Sequence, residues 1–322
     1  MNEPAKKETK ITKEKIQEDP IGAIVDTGSN RLVKARDGYM IANKNDSYIG
    51  KSIIKYGEFS EHELSLFSQI VQNTDNIVEV GANYGSHTLR LCQLANQGTV
   101  FAIEPQRVIF QALCGNLAIN SIFNCHCIQK ACSDIDNQPI TVPEADFNNP
   151  ANFGGISMIE NSNSTTRDKT VTLDTLFSSL SRLKLLKIDA EGMEEKILSG
   201  GRQLIERTRP ILFVENDRVS KSESLLNEVF GQGYRAFWHI SKMYNPNNYN
   251  GIYKNIFGRI HSFNMICFPK ESRLNLRGFT EIKDPKHHPL LKPARQSRVT
   301  KRLIEQKTSS LTHRQTKTFR YA

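Results

Sequence analysis

The chain has 322 residues, 38% of them hydrophobic and 24% charged, with 19 Gly and 12 Pro. That is ordinary globular composition, and it excludes collagen-like, mucin-like and wholly disordered chains. No stretch reaches the roughly 20 apolar residues that cross a bilayer, and the first residues contain no apolar signal segment.

The formal charge of +9 is local. Residues 283–322 carry eleven Lys and Arg against Asp284 and Glu305, so residues 1–282 are balanced. The basic balance therefore describes a tail and says little about whether the body meets nucleic acid. Six cysteines, at 92, 114, 125, 127, 132 and 267, include no C-x-x-C pair. They read as small buried side chains of a reducing, cytoplasmic compartment.

In chain order, residues 1–30 are expected as a flexible charged arm. Residues 31–57 alternate in short apolar runs about the turn dipeptide Asp37-Gly38. They predict a small β-rich lead-in, which with the following helix fills 31–75. Ser60 and Glu63 have capping-box spacing, and Leu64, Phe67, Ile70 and Val71 follow at helical intervals. A helix of about 14 residues is predicted from Ser60. Strands and helices then alternate. Strands are predicted at 77–80, 100–103, 125–131, 183–188 and 211–214, and helices at 88–95, 106–120, 194–204 and 222–230. Two closing strands follow at 234–240 and 262–268. A loop-rich insertion with a hairpin near 139–143 is predicted over 133–169. The pattern is that of an α/β fold with a seven-stranded, mostly parallel sheet covered on both faces. Its main domain spans 76–270. Residues 283–322 are expected as a disordered basic tail, free to touch anionic surfaces.

In open α/β sheets, ligands bind outside the carboxyl ends of the strands. The first such end reads Glu79-Val80-Gly81-Ala82-Asn83-Tyr84-Gly85-Ser86-His87-Thr88. Gly81 and Gly85 permit a tight turn and a close ligand. The second strand ends at Glu104, an acid placed to accept from both hydroxyls of a ribose. The spacing G-x-x-x-G lacks the G-x-G-x-x-G of a dinucleotide site, which favours a nucleoside without phosphates.

Residues 78–85 resemble the first motif of class I S-adenosylmethionine-dependent methyltransferases. Gly81-Ala82-Asn83 with Gly85 and Thr88, then Thr172-Leu173-Asp174, then Lys187-Ile188-Asp189-Ala190-Glu191-Gly192-Met193-Glu194, resemble the FkbM family over about residues 39–269. The resemblance implies a doubly wound, Rossmann-like seven-stranded sheet, the cofactor S-adenosylmethionine, and methyl transfer, usually to oxygen. It implies that Glu79, Gly81, Asn83 and Gly85 line the methionine and ribose side of the cofactor. It places Glu104 on the ribose hydroxyls and Ser133 and Asp134 near the adenine. Gln106 and Asn116 receive no role.

Asp189 and Glu191 end the fourth strand and face the reactive end of the cofactor in this architecture. Asp189 is the first candidate to orient the acceptor or take its proton, and Glu191 the second. His239, ending the sixth strand, can also face the cleft. His87 reads as structural, Glu194 and Glu195 as acids at a helix start, and Lys187 as the partner of a nearby acid such as Asp189 or Glu215. Glu215 and Asn216 after the fifth strand, with Asp189, resemble the Mg²⁺ site of catechol-type O-methyltransferases. The connection over 241–261 offers Tyr244, Tyr249 and Tyr253 as faces for a sugar. The leading expectation is O-methylation of a small-molecule or glycan hydroxyl. A nucleic-acid methyltransferase using the basic tail, or a non-catalytic cofactor-binding module, are the alternatives.

Overall fold

A computed structural model describes residues 24–160, 168–274 and 278–291. The first 23 residues of the expected arm, and the expected tail beyond 291, lie outside the described residues. The lead-in is a meander of β1 (Val25–Thr27), β2 (Asn30–Ala35) and β3 (Gly38–Asn43), followed by helices α1 (Ile49–Tyr56) and α2 (Glu61–Ile70). The α/β body then runs through β4 (Ile77–Val80), α3 (Ser86–Leu94), β5 (Val100–Ile103), α4 (Arg107–Ile119) and β6 (Cys125–Ile128). The insertion forms a small sheet of β7 (Ala131–Cys132), β8 (Pro139–Thr141), β9 (Ile159–Glu160) and β10 (Asp168–Val171), then a short helix α5 (Leu173–Leu176). The body resumes with β11 (Leu185–Ile188), α6 (Glu194–Ser199), α7 (Arg202–Thr208), β12 (Ile211–Glu215) and α8 (Val219–Gly231). It closes with β13 (Tyr234–Lys242), β14 (His261–Pro269) and β15 (Thr280–Ile282).

The main sheet has the order β15-β13-β14-β12-β11-β4-β5-β6. The five strands from β12 to β6 are mutually parallel, and β14 enters antiparallel between β12 and β13. This is the class I methyltransferase fold, widened by one edge strand. The chain winds outward from β4 to β6 and then returns to the other side of β4 at β11. The switch in strand order therefore lies between β4 and β11, and a cleft opens at their carboxyl ends.

Strand side chains alternate between two cores. Ile77, Leu185, Ile211 and Phe213 join the core under α2, α3 and the lead-in. Val78, Leu186, Leu212 and Val214 join the core under α6 to α8. Glu79 and Lys187 lie directly opposite one another, with Phe213 next in register, on the first of these faces. A buried acid and a buried base thus occupy an otherwise apolar row.

The structure amends several sequence expectations. The capping box at Ser60 does not form: Ser60 has φ 54° and its side chain makes no cap bond. Glu63 is drawn off by tertiary partners instead, and α2 is 10 residues long. The helix expected over 194–204 is two helices, because Gly200 passes against the Ser133 carbonyl, where a Cβ would lie 2.2 Å away. Asn116 ties the lead-in to the glycine loop. It accepts from Ile41 N and donates to the Ile41 and Tyr84 carbonyls. The expected tail does not begin at 283. His288 is 1% exposed and bonds Asn216 O at 2.9 Å, so residues 280–291 belong to the body.

Candidate functional site

A cleft of about 270 Å³ sits at the switch point. Gly81, Ala82 and Asn83 form one side, Glu104 and Gln106 a second, and Asp189, Ala190 and Glu191 a third. Gly81 has φ 81°, and a Cβ there would lie 1.7 Å from the Asp189 carbonyl oxygen. Its smallness therefore lets β4 and β11 close together at the cleft floor, a different reason from the close ligand expected of it. Gly85, at φ 83°, packs on Leu113 and does not line the cleft. Asn83 and Glu191, on opposite sides, are both non-glycine residues with φ 51°. Such conformations cost about 1–3 kcal/mol each and persist where the surroundings enforce them.

Glu104 is buried at the end of β5. Its Oε2 accepts from Asn83 N at 2.9 Å and its Oε1 from Gln106 N at 2.8 Å. Each oxygen keeps a lone pair, so this carboxylate can take both hydroxyls of a ribose. Burial pushes its pKa up to about 7, and the two backbone bonds offset only part of that rise. Gln106 donates to Phe153 O, while its Oε1 is buried without a partner. An orphaned acceptor beside a half-satisfied carboxylate fits a nucleoside with hydroxyl and amino donors. Ser133 and Asp134 are directed elsewhere. Ser133 Oγ bonds Asp134 Oδ1, and neither lines the cleft. The cleft beyond β6 is bounded instead by Lys130, Cys132, Val142, Ile156 and Met158.

The third side is a braced turn. Glu194 Oε1 accepts from Ala190 N at 3.1 Å and Gly192 N at 2.8 Å, which holds Asp189 and Glu191 toward the cleft. Asp189 Oδ2 lies 3.3 Å from Lys187 Nζ, and Lys187 Nζ lies 3.4 Å from Glu79 Oε1. Lys187 is held above the ordinary ammonium value because Asp189, Glu79 and Glu63 together outweigh its burial. Glu79 is fully buried, accepts from Thr88 Oγ1 at 2.6 Å and sits beneath the cleft floor. The expectation that it lines the cofactor side is therefore corrected: it holds Lys187.

Glu191 pairs with Arg218 at 2.9 Å, and Arg218 also donates to Ser157 of the insertion. Burial first, then the charge of Asp189, pushes Glu191 up to about 7.

His239 does not reach the cleft. It is packed between Phe213 and Phe279, and burial lowers its pKa. Asn216 also turns away, donating to Met265 Sδ at 3.2 Å. Among the described residues no group of three His, Cys, Asp or Glu has metal-binding geometry.

Two cleft residues were missed. Glu63 from α2 and His87 from α3 face one another at 3.3 Å, and both line the cleft. The only signal for Glu63 was a polar residue on the apolar side of its helix. In the 241–261 connection, Met243, Ile260 and His261 line the mouth. Tyr244 packs on Tyr56, and Tyr249 lies under Arg36.

Comparisons with known proteins bear on this site. Residues 79–236 match the model of the methyltransferase FkbM domain. A precorrin-6y C5,15-methyltransferase from Geobacter metallireducens superposes at TM-score 0.41 and 10% identity, covering 64% of this chain and 88% of that one. An FkbM methyltransferase from Methylobacillus flagellatus superposes at TM-score 0.41 and 13% identity, covering 67% of this chain and about half, 52%, of that one. TYW2 of M. jannaschii, solved with S-adenosylmethionine, gives 0.39 and 13%, covering 76% and 89%. No curated protein matches. The matched segment begins beneath the cleft floor at Glu79 and ends in β13 at Ala236, so residues 79–236 carry a methyltransferase FkbM domain.

Proposed function

We propose that the chain transfers the methyl group of S-adenosylmethionine to a hydroxyl oxygen of a saccharide or small metabolite. When bound, the cofactor supplies an electrophilic methyl group on a sulfonium. Gly81, Asn83 and Glu104 would hold its ribose side, with Gln106 Oε1 offered to a donor there. The observation that carries the reading is Asp189. It stands at the switch point with its side chain 35% exposed, pinned from beneath by Lys187. A pinned carboxylate can fix an acceptor hydroxyl in line with the methyl group, and such positioning supplies several kcal/mol of a barrier of this kind.

The charge of the cleft favours a small acceptor over nucleic acid. Its walls hold Glu63, Glu104, Asp189, Glu191, Glu215 and Asp217 against Lys130, His87 and His261. A phosphate backbone would be repelled there. Among the described residues no helix is long and apolar enough to cross a membrane.

The test is incubation with methyl-labelled S-adenosylmethionine and a fractionated cell extract. Label should enter an oxygen of the glycan or small-molecule fraction. Asp189→Asn should lower transfer by about 10²-fold while keeping cofactor affinity. Label entering RNA, or full turnover in D189N, would sink the reading.

A further inference from the structure

Three acids around the reacting centre already face partners. Asp189 faces Lys187 at 3.3 Å, Glu191 faces Arg218 at 2.9 Å, and Glu104 accepts two backbone N–H groups. Glu215 is raised well above the ordinary carboxyl value, first by burial and then by the charges of Asp189 and Glu191. A hydroxyl that attacks a methyl group must pass its proton to some group within reach.

The cleft also holds a side chain of another kind. His87 is 5% exposed and lines the cleft from the first turn of α3. Its Nε2 lies 3.3 Å from Glu63 Oε2, and its Nδ1 lies 4.0 Å from Glu79 Oε1. Glu63 Oε1 accepts from Ser262 Oγ at 3.0 Å and Asn264 Nδ2 at 2.9 Å. Burial resists ionisation of Glu63, but the imidazole of His87 beside it, with Lys187 and His239 further off, holds its carboxyl below the ordinary value. The groups facing the imidazole are therefore Glu63 from α2 and Glu79 from β4, with the rings of Phe59 and Phe67 at its edges. Lys187 of β11 lies beyond Glu79.

We propose that His87, oriented by Glu63, takes the proton of the acceptor hydroxyl during methyl transfer. This rests on the O-methylation reading above. The step needs the neutral imidazole with its lone pair on Nδ1, the ring nitrogen not turned toward Glu63. The acceptor O–H bond breaks and its proton passes to His87. The oxygen pair forms the bond to the methyl carbon, and the carbon–sulfur pair stays with sulfur. The imidazolium then lies between two carboxylates, which stabilise it. A carboxylate that fixes the tautomer and orientation of a proton-accepting imidazole is a recurring catalytic arrangement.

The test compares wild type, H87Q and E63Q with methyl-labelled S-adenosylmethionine and the extract fraction that accepts label, across a pH series. Turnover of H87Q at neutral pH should fall about 10²–10⁴-fold. The acid limb of the wild-type pH–rate profile should vanish, and calorimetric affinity for the cofactor should stay within about threefold. E63Q should keep an acid limb, displaced to lower pH. In protein labelled with ¹⁵N-histidine and free of substrate, His87 should show the Nε2–H tautomer at mildly alkaline pH, and E63Q should lose that preference. Should H87Q fail to fold, the E63Q profile and the tautomer decide the matter. An H87Q rate near wild type with the acid limb intact overturns the proton step alone. Label on carbon or nitrogen overturns the O-methylation reading, and the proton step falls with it.

Discussion

The two walls of the cleft are built by opposite means. The Glu104 wall is mostly backbone: Asn83 N and Gln106 N close on one carboxylate from adjacent strands. The wall carrying Asp189 and His87 is made of side chains from α2, α3, β4, β11 and β14. Some of its bonds join residues 199 and 201 positions apart. A backbone wall depends on a few residues in one stretch. A side-chain wall depends on how distant elements pack.

That difference decides what a sequence reveals. Gly81, Asn83 and Glu104 announce themselves through a turn and the end of the next strand, and the structure brings all three to the cleft. Glu63 and His87 do not, because each acquires its partner only when α2 packs on α3. The S-x-x-E spacing at Ser60 even suggested a local role for Glu63 that tertiary hydrogen bonds override. The strand order follows from the βαβ pattern, whereas β15 was hidden, being three residues on an exposed edge. Helix α1 was hidden as well, since its start is held by Asp46 Oδ1 accepting from Tyr48 N and by the Asp46 carbonyl accepting from Lys51 N.

The side-chain wall breaks first at Lys187. It is 1% exposed, and apart from it Glu79 Oε1 has no close partner save His87 Nδ1 at 4.0 Å. Lys187→Met leaves a carboxylate in an apolar row with nothing opposite. Removing one member of a buried pair costs about 3–5 kcal/mol. Urea unfolding should show that loss, and a second change, Glu79→Gln, should recover much of it. A loss under about 1 kcal/mol in the single variant would show that Glu79 is not desolvated as described.

The backbone wall is milder and responds to pH. Glu104 sits at about 7 against an ordinary value of 4.5, raised by burial. A ribose donates hydrogen bonds, so it binds the ionised form. Cofactor affinity should be complete above neutral pH and weaken by up to about tenfold per unit below 7. Stability carries the opposite sign: the raised value contributes below about 4.5 and is lost as pH rises through 7. Calorimetry across that window checks the first statement, and Glu104→Gln should bind weakly with no pH slope. A slope that survives in E104Q would assign the titration to another group.

The smallest effect should come from behind the acidic wall, at His288. Its Nδ1 accepts from Leu290 N at 3.1 Å, so its Nε2–H donates to Asn216 O at 2.9 Å. The ring also meets Trp238 edge-on and tilts against Phe263, which lines the cleft. Residues 283–291 thereby clamp the chain between Glu215 and Asp217, and they do so through a carbonyl with few alternatives. His288→Ala should cost about 1–3 kcal/mol, the penalty for leaving a buried carbonyl unpaired. Cofactor affinity should hold, because Glu104 and Gly81 lie on the other wall. Ending the chain at 282 should reproduce the loss in full. If that shortened chain unfolds at the same urea concentration as the whole protein, the clamp carries no load, and the body ends where composition alone would place it.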